Sequence, residues 1–165
     1  MANTYTLIAS NTVGSGGAAN IQFTSIPQTY TDLLIKISGR ANDTGTNLVL
    51  TLNSTSTISS IALRGYGSGY TSDTSTTAVL RMVEPSNFTA STFASAEIYI
   101  PNYTSSNNKS WSADGVIENN DTDSAQALIA GLTSIAVAIT SITLAPITGS
   151  FVQYSTAYLY GISNS

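Results

Sequence analysis

Short runs in which apolar and polar residues alternate recur along this sequence, and residues 94–100 show the pattern most clearly. The apolar members of this run occupy every second position: Ala94, Ala96, Ile98 and Ile100. Ser95, Glu97 and Tyr99 lie between them, so the run has one apolar and one polar face. A period of two is typical of a β-strand with one buried face. Pro101 ends the run, because proline has no N–H to donate to a sheet ladder.

A second alternating run follows a polar, turn-rich segment at residues 102–109. Its apolar positions are Trp111, Ala113 and Ile117. Gly115 interrupts the run, which predicts a β-bulge. The two runs together predict a hairpin whose inner face packs in the core and whose outer surface exposes Tyr99 and the polar tip. We also expect Glu97 and Lys109 to form an ion pair across this hairpin, of little energetic value if it is exposed.

Further runs of the same kind predict strands over most of the chain, separated by segments rich in Gly, Asn, Ser and Pro. These strands cover residues 5–13, 19–23, 33–38, 48–52, 78–83, 142–145 and 151–162. The first two are expected to form a hairpin, and the two terminal strands are expected to lie close together. Eight to ten short strands without a convincing helix predict an all-β fold, either a β-sandwich or a jelly roll. We expect residues 1–165 to form one such domain.

Residues 124–139 fit two patterns. Their apolar residues recur at helical spacing, and Ser124 is a suitable N-cap. Gly131 in the middle and several β-branched residues disfavour a helix. The alternative is a strand at residues 125–132, then a loop, then a strand at residues 139–145. We favour strands because every surrounding segment is β, and the helix stays open as the second reading.

Residues 64–77 are predicted to be an irregular loop, and they contain Tyr66 and Tyr70 within a Gly-rich stretch. Alternating Gly and Tyr could form a stacking platform for sugars or bases. Loops commonly mix these residues, however. We therefore favour a surface loop whose Tyr rings cover the edge of a sheet or contact a neighbouring subunit.

The charge pattern excludes several kinds of partner. Charged residues make up 8% of the chain and the net charge is −4. The five basic residues are scattered, so no basic stripe exists for nucleic acid. No apolar run is long enough to span a membrane, and no Sec-type signal opens the sequence. A surface of hydroxyls and amides with few Lys and Glu is typical of a protein that contacts other subunits.

The residues that most enzymes depend on are missing. The chain has no His and no Cys, which removes Ser-His-Asp and Cys-His catalysis and the commonest zinc ligands. A glycosidase needs only two carboxylates, but the spacing of the nine Asp and Glu residues singles out no pair. The acidic cluster at residues 118–123 could bind Ca²⁺, although a solvated turn is the better interpretation. We therefore expect no enzyme activity, no cofactor and no metal.

Three segments together resemble a family of small virion structural proteins of tailed phages, notably those of cyanobacteria and marine bacteria. The segments are EIYIPNYTSSNNKSWSADGVIENN, AITSITLAPITGSFVQYSTAYLYGI and YTLIASNTVGSGGAANIQFTSIPQTYTDLLI. The resemblance covers most of the chain and is loosest at residues 53–77. It implies a jelly roll without catalytic residues.

The resemblance also implies a function. Proteins of this kind sit on the capsid surface of the virion as homotrimers and cement neighbouring subunits of the major capsid protein. The alternative role is a tail-fibre or receptor-binding module that contacts glycans of the host surface. The expected contact residues for either role are Tyr66, Tyr70, Tyr99, Tyr103 and Lys109.

Overall fold

The computed structural model describes residues 4–77, 79, 81–118 and 124–163, which form eleven strands and no helix. The strands are β1 (Tyr5–Thr12), β2 (Ile21–Phe23), β3 (Asp32–Gly39), β4 (Leu48–Leu52), β5 (Ile58–Tyr66), β6 (Gly69–Ser75), β7 (Ala94–Ile100), β8 (Lys109–Glu118), β9 (Ser124–Thr133), β10 (Ile142–Pro146) and β11 (Thr156–Ile162). The all-β prediction is confirmed.

The strands form two antiparallel sheets of unequal size. The large sheet has eight strands in the order β1-β11-β3-β7-β8-β9-β5-β6, and the small sheet has three in the order β2-β10-β4. This arrangement is consistent with the predicted β-sandwich. The strands are more numerous than expected, and their eight-to-three division differs from the two Greek keys of an eight-stranded jelly roll.

The main core lies between the two sheets. Alternate residues of β3, β7 and β8 point into it, among them Ile35, Ile98 and Trp111. The small sheet contributes Leu50 and Leu144 from the opposite side. The inward period of two predicted for residues 94–100 and 111–117 is therefore confirmed.

Strand pairing differs from the expected hairpin at the start of the chain. β1 pairs with β11 in the large sheet, whereas β2 pairs with β10 in the small one. The chain crosses between the sheets at residues 13–20, where Gly17 has a φ of 70° and a side chain would press on the carbonyl of Phe151. The prediction of a β1–β2 hairpin is wrong, whereas the expected proximity of the terminal strands is confirmed.

The strand interpretation of residues 124–139 is confirmed over its first part. β9 pairs with β8 on one side and β5 on the other, and partners on both sides outweigh the helical spacing. Residues 64–77, predicted to be a loop, instead form most of the β5–β6 hairpin, which turns at Gly67 with a φ of 53°. The period-two pattern is weak there because β6 is polar and largely exposed on both faces.

The structure also differs from the prediction at Gly115. β8 runs through Gly115 without a register shift, so the predicted bulge is absent from this strand. Gly115 is needed because any side chain there would collide with the carbonyl of Arg81.

The predicted strand at 78–83 lies partly outside the described residues; of the rest, Val79 forms a single bridge to Leu48. Most of the acidic cluster at 118–123 also lies outside them.

Candidate binding face

We call the face of the large sheet that points away from the core the outer face. It carries two surface features, a depression and an apolar patch. Residues that alternate with the core residues of each strand project from it. Antiparallel register places Lys36 of β3 beside Glu97 of β7, and Glu97 beside Asp114 of β8. The outer face therefore combines side chains that are far apart in the sequence.

One half of the outer face contains an open depression with a volume of about 690 Å³. We call it the tyrosine depression. It is lined by Tyr5, Leu34, Lys36, Glu97, Tyr99, Ser112 and Tyr160. These residues come from five strands, because β1, β11, β3, β7 and β8 are consecutive neighbours in the sheet.

Hydrogen bonds hold the polar groups of the depression in place. Lys36 Nζ forms an ion pair with Glu97 Oε2, and this hydrogen bond raises the pKa of Lys36. The hydroxyl of Tyr99 donates to Asp32 Oδ2 over 2.7 Å, which raises the pKa of Tyr99 to about 12. Tyr99 thus remains a neutral hydrogen-bond donor at any physiological pH.

Asp114 lies at the edge of this group, beside the Glu97 carboxylate. Burial, and then the negative charge of Glu97, raise the pKa of Asp114, while Lys36 opposes them. The antiparallel register places the two residues directly opposite each other on neighbouring strands.

Asp114→Asn is expected to stabilise the protein at neutral pH by about 0.2–1 kcal/mol, because like charges directly opposite on neighbouring strands are destabilising. The folded-state pKa of Asp114 is raised, so the wild-type protein loses stability as the pH rises through that pKa. The advantage of the variant should therefore vanish below the ordinary pKa of 3.8. Urea denaturation at pH 7 and pH 3 measures this difference.

Glu97→Gln is the matched control for this prediction. It also removes one of the two like charges, but it breaks the ion pair with Lys36. We therefore expect no gain in stability from it at pH 7. An Asp114→Asn variant that is less stable than the wild type at pH 7 would contradict the assignment.

The other half of the outer face carries an exposed apolar surface, which we call the aliphatic patch. Its members are Ile61, Leu63, Tyr70, Val116, Leu128 and Leu132. Leu63 of β5 and Leu128 of β9 are directly opposite each other and are 63% and 54% exposed. A contiguous exposed apolar surface of this kind marks sites of protein contact.

The structure divides the five predicted contact residues into two groups. Tyr99 lines the tyrosine depression, Tyr70 is a 94% exposed member of the aliphatic patch, and Tyr66 is exposed near the guanidinium of Arg81. Tyr103 and Lys109 are 0% and 1% exposed. The prediction that these two residues are available to a partner is wrong.

Tyr103 and Lys109 are buried because the segment between β7 and β8 folds back onto the core. The hydroxyl of Tyr103 donates to the Pro27 carbonyl. Lys109 Nζ donates to the carbonyls of Ser105 at 2.8 Å and Ile135 at 3.3 Å, and burial lowers the pKa of this amine. Lys109 points inward like Trp111, whereas Glu97 lies on the outer face. The expected Glu97–Lys109 ion pair is therefore absent, and Glu97 pairs with Lys36.

Most residues of the two surface features were not expected from the sequence. Leu63 and Leu128 each belong to a strand that also has apolar residues on its inner face, such as Ala62 and Ile129. Apolar residues on both faces of a strand are a signal that a partner covers the second face. No comparable signal in the sequence identifies Tyr5 as a lining residue of the depression. The position of Tyr5 depends on the pairing of the two terminal strands, β1 and β11.

Among the described residues, no helix has the length and apolar character needed to cross a membrane. The described side chains also do not bring three or more carboxylates together in a group suited to a metal ion. Comparisons with the models of known protein families, with curated proteins and with solved structures give no match to this chain.

Proposed function

We propose that this protein is a non-catalytic structural component of a phage virion. It decorates the capsid surface and cements the capsid by binding between subunits of the major capsid protein. The observation that carries the proposal is the aliphatic patch, an apolar surface on the uncovered face of a large sheet. The resemblance of three sequence segments to virion structural proteins supports the same role.

The aliphatic patch presents several large apolar side chains to a partner. Burying a Leu or Ile side chain contributes about 1.5–3 kcal/mol, and the patch presents Ile61, Leu63, Leu128 and Leu132 together. Part of this gain offsets the loss of translational and side-chain freedom on binding. A central apolar cluster with a polar surround matches the anatomy of protein interfaces.

The proposal includes a homotrimer, as the resemblance implies. Within the described residues, β1 and β6 are the outermost strands of the large sheet. Open edges invite pairing with other chains, and proteins protect them by covering them. Oligomerisation on the capsid would cover such edges, and the molar mass of the purified protein in solution tests the trimer.

The double variant Leu63→Ser/Leu128→Ser is expected to bind capsids at least 100-fold more weakly than the wild type. The reason is that each substitution removes a large apolar side chain from the contact. The assay is co-sedimentation of the purified protein with capsids of its own phage, assembled without it. Bound wild-type protein is also expected to raise the temperature at which these capsids disrupt.

Leu7→Ser is the matched control, because Leu7 is a similarly exposed leucine on β1, at the opposite edge of the same sheet. It should bind capsids like the wild type. The proposal fails if wild-type protein does not co-sediment with the capsids, or if the double variant binds as well as the control.

A second candidate function is a fibre module that contacts glycans of the host surface. The tyrosine depression favours it, since tyrosine rings and polar side chains are combined there. A low copy number per virion would distinguish this role from capsid decoration.

A further inference from the structure

We infer that the tyrosine depression is a binding site for a neutral saccharide, which packs on Tyr5 and Tyr160 and hydrogen-bonds to Lys36 and Glu97. The depression shares no lining residue with the aliphatic patch. The inference is therefore independent of capsid binding, and it holds whether the protein is placed on a capsid or on a fibre.

The apolar part of the depression suits the face of a sugar ring. Tyr5 is 58% exposed at the rim, and Tyr160 and Leu34 are directly opposite each other on neighbouring strands. Tyr combines a large apolar ring with a polar hydroxyl. A pyranose has the complementary construction, with C–H groups on its faces and hydroxyls around its edge.

The polar part supplies donors and acceptors at fixed positions. Lys36 and Glu97 are paired with each other, so a cation and a carboxylate lie side by side in the depression. Asp32, itself buried, holds the hydroxyl of Tyr99 and also accepts a 2.8 Å hydrogen bond from the backbone N–H of Asn102. Ordered groups lose little entropy on binding, which favours affinity.

The size and the mixed lining of the depression also fit a small ligand. Its volume of about 690 Å³ is within the usual range for ligand sites. Sites of this kind combine apolar walls with a few polar groups that fix orientation. A purely apolar ligand would leave Lys36, Glu97 and Ser112 without hydrogen-bond partners from the ligand.

The negative charge in and around the depression selects among saccharides. Lys36 is the single cation lining the depression, whereas Glu97 lines it and Asp114 and Asp32 lie beside it. The whole chain also carries a net charge of −4. Acidic sugars, phosphorylated sugars and nucleic acid would be repelled. We therefore restrict the inference to neutral hexoses and their oligomers.

The test is a titration of the full-length protein with neutral tetrasaccharides of glucose, mannose, galactose and N-acetylglucosamine. Binding is measured by calorimetry and by NMR of the tyrosine rings. We expect saturable binding of at least one probe with a dissociation constant below about 1 mM. Tyr5→Ala, Tyr160→Ala and Glu97→Gln should each weaken that binding at least tenfold. Thermal melting of each variant checks that it is folded; Glu97→Gln changes least in shape.

Tyr70→Ala is the matched control, because Tyr70 is an exposed tyrosine at the other end of the same sheet. It should bind the probe like the wild type, as should Leu63→Ser/Leu128→Ser, which is expected to lose capsid binding. No binding of any tetrasaccharide by the wild type would overturn the inference. An equal loss of saccharide binding in Tyr70→Ala would also overturn it. So would a self-association of the protein that Tyr5→Ala abolishes, if no saccharide binds.

Discussion

Trp111→Ala is expected to lower the free energy of unfolding by about 3–5 kcal/mol, because it leaves a large cavity at the centre of the main core. Trp111 is buried between the sheets, and its indole N–H donates to Thr133 Oγ1 over 3.1 Å. The substitution removes both the packing and the partner of a buried hydroxyl. Urea denaturation followed by circular dichroism measures the loss, and exposed Tyr70→Ala should change stability by less than about 0.5 kcal/mol.

Gly131 provides a sharper test of the same packing. It is directly opposite Trp111 in the β8–β9 ladder, and any side chain at residue 131 would collide with the indole ring. Gly131→Ala alone should therefore cost about 1–3 kcal/mol. In the Trp111→Ala background the ring is absent, so the added methyl group should cost much less. Strictly additive losses would contradict this arrangement.

The sequence predicted which face of each central strand is buried, because side-chain alternation is a local property of the backbone. Ile98, Trp111 and their alternate neighbours show this. Strand partners are not local. β1 and β2 are adjacent in sequence and separated by a turn, yet their hydrogen bonds go to β11 and β10 in different sheets.

The candidate site was predicted only in part for the same reason. Tyr99 was expected on the outer surface from its own strand, and it lines the depression. Tyr160 reaches the depression because β11 pairs with β3, and Tyr5 reaches it because β1 in turn pairs with β11. Lys109 was expected to be exposed as a charged loop residue, but nearby carbonyls of the folded loop accept its hydrogen bonds. Such acceptors have no sequence signature.

Arg40 is a second buried cation with a role that its loop-like sequence context did not suggest. It is almost fully buried, and its guanidinium donates to four backbone carbonyls of the segment between β6 and β7. These acceptors are Ser86 O at 3.2 Å, Phe88 O at 3.1 Å, Thr89 O at 2.7 Å and Thr92 O at 3.0 Å. One side chain therefore ties together two turns of this segment, in which the N–H of Phe88 donates to the Pro85 carbonyl and the N–H of Thr92 donates to the Thr89 carbonyl.

Arg40→Met is expected to destabilise the protein by at least about 3 kcal/mol, since each hydrogen bond from a charged group contributes about 1.5–3 kcal/mol and four carbonyls lose their donor. Arg40→Lys should restore only part of this, because an ammonium cannot reproduce the planar fork of a guanidinium. Arg64→Met is the control; it breaks a partly exposed pair with Asp73 and should cost at most about 1 kcal/mol. Amide exchange should accelerate at residues 86–92 in Arg40→Met alone. If Arg40→Met were no less stable than Arg64→Met, the segment would have to be held by its own packing rather than by the guanidinium.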